Sequence, residues 1–191
     1  MKGGASGVKD VAGNALAADR TWTFATTAGG ASQTVNISAT ADSYVSGGVP
    51  TTNFGTSAML GVDNSPVEVA YLKFDLSAYA GRTLESATLQ LRSAGSGSTG
   101  SQNVKLVAVD TWTETGITFN NRPALGTSIG TFGPTATNTT YNVPLAVSGL
   151  VGEPGGQLSL GLDSSSSDGL DLNSKEAGST LAPTLVLTFR Q

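Results

Sequence analysis

Apolar and polar side chains alternate along the chain from about residue 34 onward. Val35, Ile37 and Ala39 alternate with Asn36, Ser38 and Thr40, and Leu72, Phe74 and Leu76 alternate with Tyr71, Lys73 and Asp75. The same period of two sets Leu89 and Leu91 against Thr88, Gln90 and Arg92, and Leu158, Leu160 and Leu162 against Ser159 and Gly161. It recurs at the end, where Leu185, Leu187 and Phe189 alternate with Val186, Thr188 and Arg190. Successive side chains on a strand point to opposite faces, so each run predicts a strand that hides one face and shows the other. Residues 94–101 and 163–169 carry no period and read as loops. Residues 144–151 are the one helical candidate, with room for one or two turns. The expected fold is all-β, an antiparallel β-sandwich.

The first 28 residues have a different character. Asp10-Val11-Ala12-Gly13-Asn14 offers a turn in which Gly13-Asn14 tolerates positive φ, and Trp22 and Phe24 share one face of a period-2 segment. The segment reads as a short N-terminal β-hairpin. An isolated hairpin is marginal in water. It therefore packs on the module behind it, hangs loose, or pairs with another copy through its open edge, a route to homo-association. Residues 29–33 read as a Gly-rich linker. The expected division is 1–28, a linker over 29–33, and a sandwich module over 34–191.

Composition narrows the function. The chain has 191 residues, enough for one ordinary domain and a smaller piece. Charged residues make up only 13% and there are 25 Gly, so the surface is one of hydroxyls and amides, as is common in extracellular β proteins. A formal charge of −4 lacks the basic footprint that nucleic acid requires. Cysteine is absent, which excludes disulfides and thiolate metal sites and leaves stability to the core, with or without a bound ion. Histidine is absent too, excluding a Ser-His-Asp triad and His-ligated metal. No stretch reaches the 18 apolar residues of a membrane helix. Met1-Lys2-Gly3-Gly4 lacks a signal-peptide apolar region and reads as the edge of a fragment.

An ordered series of motifs runs through the main module. It begins with Ala41-Asp42-Ser43-Tyr44-Val45, Asn53-Phe54-Gly55, Tyr71-Leu72-Lys73-Phe74-Asp75-Leu76-Ser77 and Ser86-Ala87-Thr88-Leu89-Gln90-Leu91. It continues with Trp112-Thr113-Glu114, Ile117-Thr118-Phe119-Asn120-Asn121-Arg122-Pro123 and Ser174-Lys175-Glu176-Ala177. Over roughly residues 34 to 190 the series resembles the DNRLRE modules of secreted bacterial and archaeal proteins, a group overlapping carbohydrate-binding module family ninety-six. The resemblance implies a jelly-roll sandwich that binds or adheres, a polysaccharide partner with alginate among the family's ligands, and an extracellular or cell-surface location. Val8 to Leu16 followed by Thr21-Trp22-Thr23-Phe24 resembles the closing hairpin of an S-layer-type bacterial Ig-like domain, which implies a multidomain parent.

Candidate chemistry follows from these motifs. Glu114 and Glu176 are the glutamates inside them, and carboxylates held about 5 to 10 Å apart can cleave glycosidic bonds. The favoured expectation is structural, with each accepting turn amides or bonding Arg122 or Lys175, so the chain is expected not to be an enzyme. Asp42, where the first module strand enters the sandwich, is either a turn cap or a ligand of structural calcium, with Glu176 and loop carbonyls supplying further oxygens. Tyr71, Lys73, Arg92 and Lys105, with Thr88 and Gln90, are the residues that alternation turns to solvent. Lys and Arg beside an aromatic ring suit a uronate chain, Tyr71 covering a sugar ring. Trp112 is expected in the core. The competing class is a structural element of a cell-surface or filamentous assembly, with the N-terminal hairpin as the subunit contact.

Overall fold

The computed structural model describes residues 1–24, 30–107 and 109–190, so Gly29 of the expected linker and Ala108 ahead of Trp112 lie outside the described residues. The chain divides into two compact units, Met1–Gly30 and Ala31–Gln191. In the first, the expected turn forms. Gly13 takes φ +86°, Asp10 Oδ1 accepts the Ala12 and Asn14 N–H groups at 2.9 Å each, and Lys9 bridges Ala15. Trp22 and Phe24 are not in a strand. They are 72% and 87% exposed, because nothing among the described residues of this unit pairs with their backbone.

The second unit is the predicted sandwich. Its strands are β1 (Ser32–Ser38), β2 (Ala41–Ser46), β3 (Met59–Asn64), β4 (Val67–Asp75), β5 (Thr83–Arg92), β6 (Gln102–Val107), β7 (Leu125–Phe132), β8 (Thr140–Leu145), β9 (Gln157–Ser164), β10 (Leu170–Asn173) and β11 (Thr184–Arg190). Ser32 and Gln33, expected as linker, already belong to β1, where they pair with Arg190 and Phe189. One sheet runs β1-β11-β5-β8; the other runs β10-β3-β4-β9-β6-β7, with β2 also paired to β4. Every pairing is antiparallel. In the four-stranded sheet the first and last strands of the module, β1 and β11, pair at one edge; in the seven-stranded sheet β4 and β9 lie at the centre, with β10 and β7 at the edges. Among the described residues there is no α-helix; residues 144–151 supply only a 3-10 turn, Val147–Gly149.

The alternating leucines do what the period requires. Leu72 and Phe74 of β4, Leu158, Leu160 and Leu162 of β9, Leu89 and Leu91 of β5, and Leu185, Leu187 and Phe189 of β11 meet between the sheets in one fully buried core. Burial of this much apolar surface is what holds a disulfide-free sandwich together.

Candidate functional site

A second, smaller core lies on the far side of the seven-stranded sheet. Val69 and Tyr71 of β4, which alternate with the residues of the main core, pack with Val45, Val107, Trp112 and Ile117. Trp112 and Ile117 belong to the long connection from β6 to β7, of which residues 109–124 fold back over the sheet as a cover loop. The motifs hold it there. Trp112 Nε1 donates to Ser159 Oγ at 2.9 Å and the indole meets the Tyr71 ring edge-on at 6.0 Å. Asn53 Nδ2 donates to the Glu114 and Ile117 carbonyls, each at 2.7 Å. A Cβ at Gly55 would stand 2.1 Å from the Glu114 carbonyl oxygen, so only glycine permits this approach.

The cover loop overturns the solvent-facing placement of two candidates. Tyr71 is 1% exposed, its hydroxyl donates to the Pro123 carbonyl at 2.7 Å, and burial pushes its pKa up to about 12. Lys73 Nζ donates to the Asp110 and Trp112 carbonyls at 2.8 and 2.5 Å and lies 4.4 Å from the Trp112 ring centre. Burial lowers its pKa against the opposing pull of Asp110. Period-2 alternation separates the two faces of a strand but carries no information on what a distant loop lays over the outer one. Lys105 stays on the same sheet, paired with Asp163 at 2.6 Å. Arg92 sits on the other sheet, its Nη1 donating to Thr140 Oγ1 at 3.3 Å. The four candidates therefore do not form one surface.

Beside the cover loop the sheet is open. A groove of about 500 Å³ runs between them, bordered by Asp63, Tyr71, Phe119, Asn120, Arg122 and Asp163. Arg122 lies flat on Phe119, its guanidinium carbon 3.5 Å from the ring centre, and its Nη1 donates to the Phe119 carbonyl. A flat cationic plane, carboxylates and an amide thus converge on one concave strip, the arrangement expected of a site that orients a polar ligand. Phe119, Asn120 and Arg122 sit in a loop, where strand alternation gives no signal. Their signal was membership of the Ile117–Pro123 motif, an aromatic and an arginine three residues apart.

The carboxylates converge elsewhere. Asp42 of β2, Glu114 of the cover loop and Glu176 of the 3-10 turn Lys175–Ala177 bring one oxygen each within 4.8 Å of one another. Asp42 is buried; its Oδ2 accepts the Lys175 N–H at 2.8 Å and its N–H donates to Glu114 Oε1 at 2.9 Å. Lys175 Nζ stands 3.0 Å from Glu114 and 2.5 Å from Glu176. Glu114 and Glu176 both bond Lys175, and Glu114 also accepts the strand amide of Asp42. Asp42 Oδ1 is buried with no partner. Burial first, then the charges of Glu176 and Glu114, push the Asp42 carboxyl up to about 7, although the Lys175 amide pulls the other way. Burial raises Glu176 too, but hydrogen bonds from the Lys175 ammonium and Ser174 hold it below its ordinary value. The Lys175 ammonium is pushed up to about 12, chiefly by Glu176. Three carboxylates and one ammonium leave two formal negative charges around an orphaned, hard oxygen donor, so the triad fits a divalent cation of the oxygen-seeking kind.

A two-sheet β-sandwich with a concave strip beside its cover loop has the shape of a ligand-binding module. Residues 33–189 match carbohydrate-binding module family 96, and the chain belongs to that family. Modules of such families are typically non-catalytic. No curated protein matches the chain.

Proposed function

We propose that the chain is a non-catalytic polysaccharide-binding module of a secreted multidomain protein, and that the groove beside the cover loop holds the glycan. The observation that carries this reading is the groove itself, about 500 Å³, which the Arg122–Phe119 stack borders together with Asp63 and Asp163. Sugars need flat surfaces for their C–H faces and fixed acceptors for their hydroxyls, and the strip supplies both. A polyuronate such as alginate is the class to test first, since Arg122 borders the groove and Lys105 holds Asp163 next to it. The module carries seven Lys and Arg against twelve Asp and Glu, so recognition is local, within about 8 Å at physiological salt. Calorimetric titration against alginate, pectin and neutral glucans at two salt concentrations should give dissociation constants between micromolar and millimolar, about −4 to −8 kcal/mol. Silence against all of them overturns the reading.

The resident cation of the Asp42–Glu114–Glu176 triad is calcium in this reading. When bound it cross-links β2, the cover loop and the 3-10 turn before β11, stiffening one wall of the sandwich. A second reading, a structural or adhesive role with homo-association, is favoured by one observation: Trp22 and Phe24 are both largely exposed on the N-terminal unit. Sedimentation of the full chain and of Trp22→Ala decides it; a dimer lost in the variant supports association.

A further inference from the structure

The cations of the sandwich are mostly engaged. Lys105, Lys175 and Arg190 are in ion pairs, Lys73 is held by loop carbonyls, and Arg82 and Arg92 donate to Gln33 and Thr140. Arg122 differs. Among the described residues it has no carboxylate partner and uses only Nη1, on the Phe119 carbonyl. Stacking on Phe119 fixes the plane of the guanidinium and the carbonyl fixes its rotation. The edge carrying Nε and Nη2 is left without a partner, on a residue that borders the groove. A guanidinium edge whose orientation is set in advance pairs two parallel N–H donors with a carboxylate and loses little entropy in doing so.

We propose that Arg122 is the specificity-determining residue of the groove and that it takes the carboxylate of a uronic acid unit in the bound chain. This rests on the reading that the groove holds a glycan and goes beyond it by naming the residue and the group recognised. The neighbouring acids fit the assignment. Asp163 is neutralised by Lys105 at 2.6 Å. Asp63 Oδ1 is occupied by the Asn64 and Ser65 N–H groups at 2.7 and 3.3 Å. Arg122 is thus the one cation bordering the groove, and it is free of an acid among the described residues. The other arginine-bordered hollow, about 590 Å³ at Arg82, Thr83 and Arg190, has no aromatic backing, and Arg190 there is bound to Glu85 at 2.8 Å.

The test uses the full chain and four probes: alginate, the same polymer after reduction of its carboxylates, a sulfated glucan and a neutral glucan. Arg122→Ala should weaken alginate binding at least tenfold and leave the weaker binding of the reduced polymer unchanged. Arg122→Lys, which keeps the charge and loses the fork, should recover only part of the loss, and Arg82→Ala should match the parent. Thermal midpoints of all variants identify any that lose affinity by unfolding; Arg122→Lys, which preserves bulk and charge, then decides the matter. Alginate binding unaltered in Arg122→Ala, or by Arg122→Lys equal to the parent, overturns the assignment while the polysaccharide function stands. A parent that prefers the sulfated glucan, or binds the reduced polymer as tightly as alginate, overturns the carboxylate. A parent that binds none of the four overturns the function and this assignment together.

Discussion

The outer faces of the two sheets arise from the same alternation and end in different surroundings. On the four-stranded sheet, Thr34 faces Thr188 with their hydroxyls 3.0 Å apart, and Gln90 donates to Asn142 at 3.0 Å. Thr88 lies between Val186 and Pro144. This is a plain of hydroxyls and amides that bond sideways to one another, with no aromatic on it. On the seven-stranded sheet the matching positions, Val69, Tyr71 and Val107, are apolar or aromatic and lie under Trp112 and Ile117. One face is finished by water and the other by a loop. The covered face is also the one with the concave strip, since a loop laid on a sheet leaves a groove along its edge.

The sharpest way to break this comparison is Trp112→Ala. A buried indole that packs on Tyr71 and bonds Ser159 should cost about 3–5 kcal/mol, read as a fall in the thermal midpoint. Thr88→Ala on the open face should stay within about 0.5 kcal/mol of the parent. Equal effects would mean that the cover loop is not a true layer of the structure.

How much of this was legible in the sequence follows from where each signal lives. The strands built on Leu72 and Phe74, Leu89 and Leu91, Leu158 to Leu162 and Leu185 to Phe189 declare themselves because each buries a complete face between the sheets. β3 and β7 did not, because Gly61 in one and Gly126 and Gly130 in the other interrupt the alternation where neighbours crowd in. Tyr71 and Lys73 read as solvent-facing by alternation because the covering residues come some forty positions later, too far for any local period to register. Asp42 and Glu176 were legible as motif acids, whereas the joining of Glu114 to them depends on Asn53 and Gly55 steering the loop, which only the fold displays.

Next in expected size is the behaviour of the carboxylate triad, where the cover loop meets the sheet edge. Without metal, the Asp42 carboxyl binds its proton more tightly in the folded chain, at about 7, than in the unfolded one, near its ordinary value. Its contribution to stability is therefore complete below about pH 4 and is lost as pH rises through about 7, an effect on the order of a few kcal/mol. In chelator the thermal midpoint should fall between about pH 4 and 7 through this group and level off above. Calcium binds the deprotonated site, so its stabilisation should grow over the same interval, and Asp42→Asn should remove both trends. A midpoint indifferent to chelator throughout would rule out the ion.

Asn53→Ala comes after it. Two carbonyls of the cover loop, on Glu114 and Ile117, lose their donor, which should cost about 1–3 kcal/mol. Hydrogen exchange should show the change concentrated in residues 109–124, with the amides of β5 and β11 unaltered; loosening spread evenly over both sheets would contradict the layered picture.

The central claim, that the covered sheet and not the open one receives the glycan, is tested most directly by mapping amide chemical shifts during titration with a uronic acid oligosaccharide. The account predicts perturbations at residues 119–124, 63–67 and 163–164, around the groove. Shifts confined to 86–92, 140–144 and 184–188, on the open four-stranded face, would contradict it.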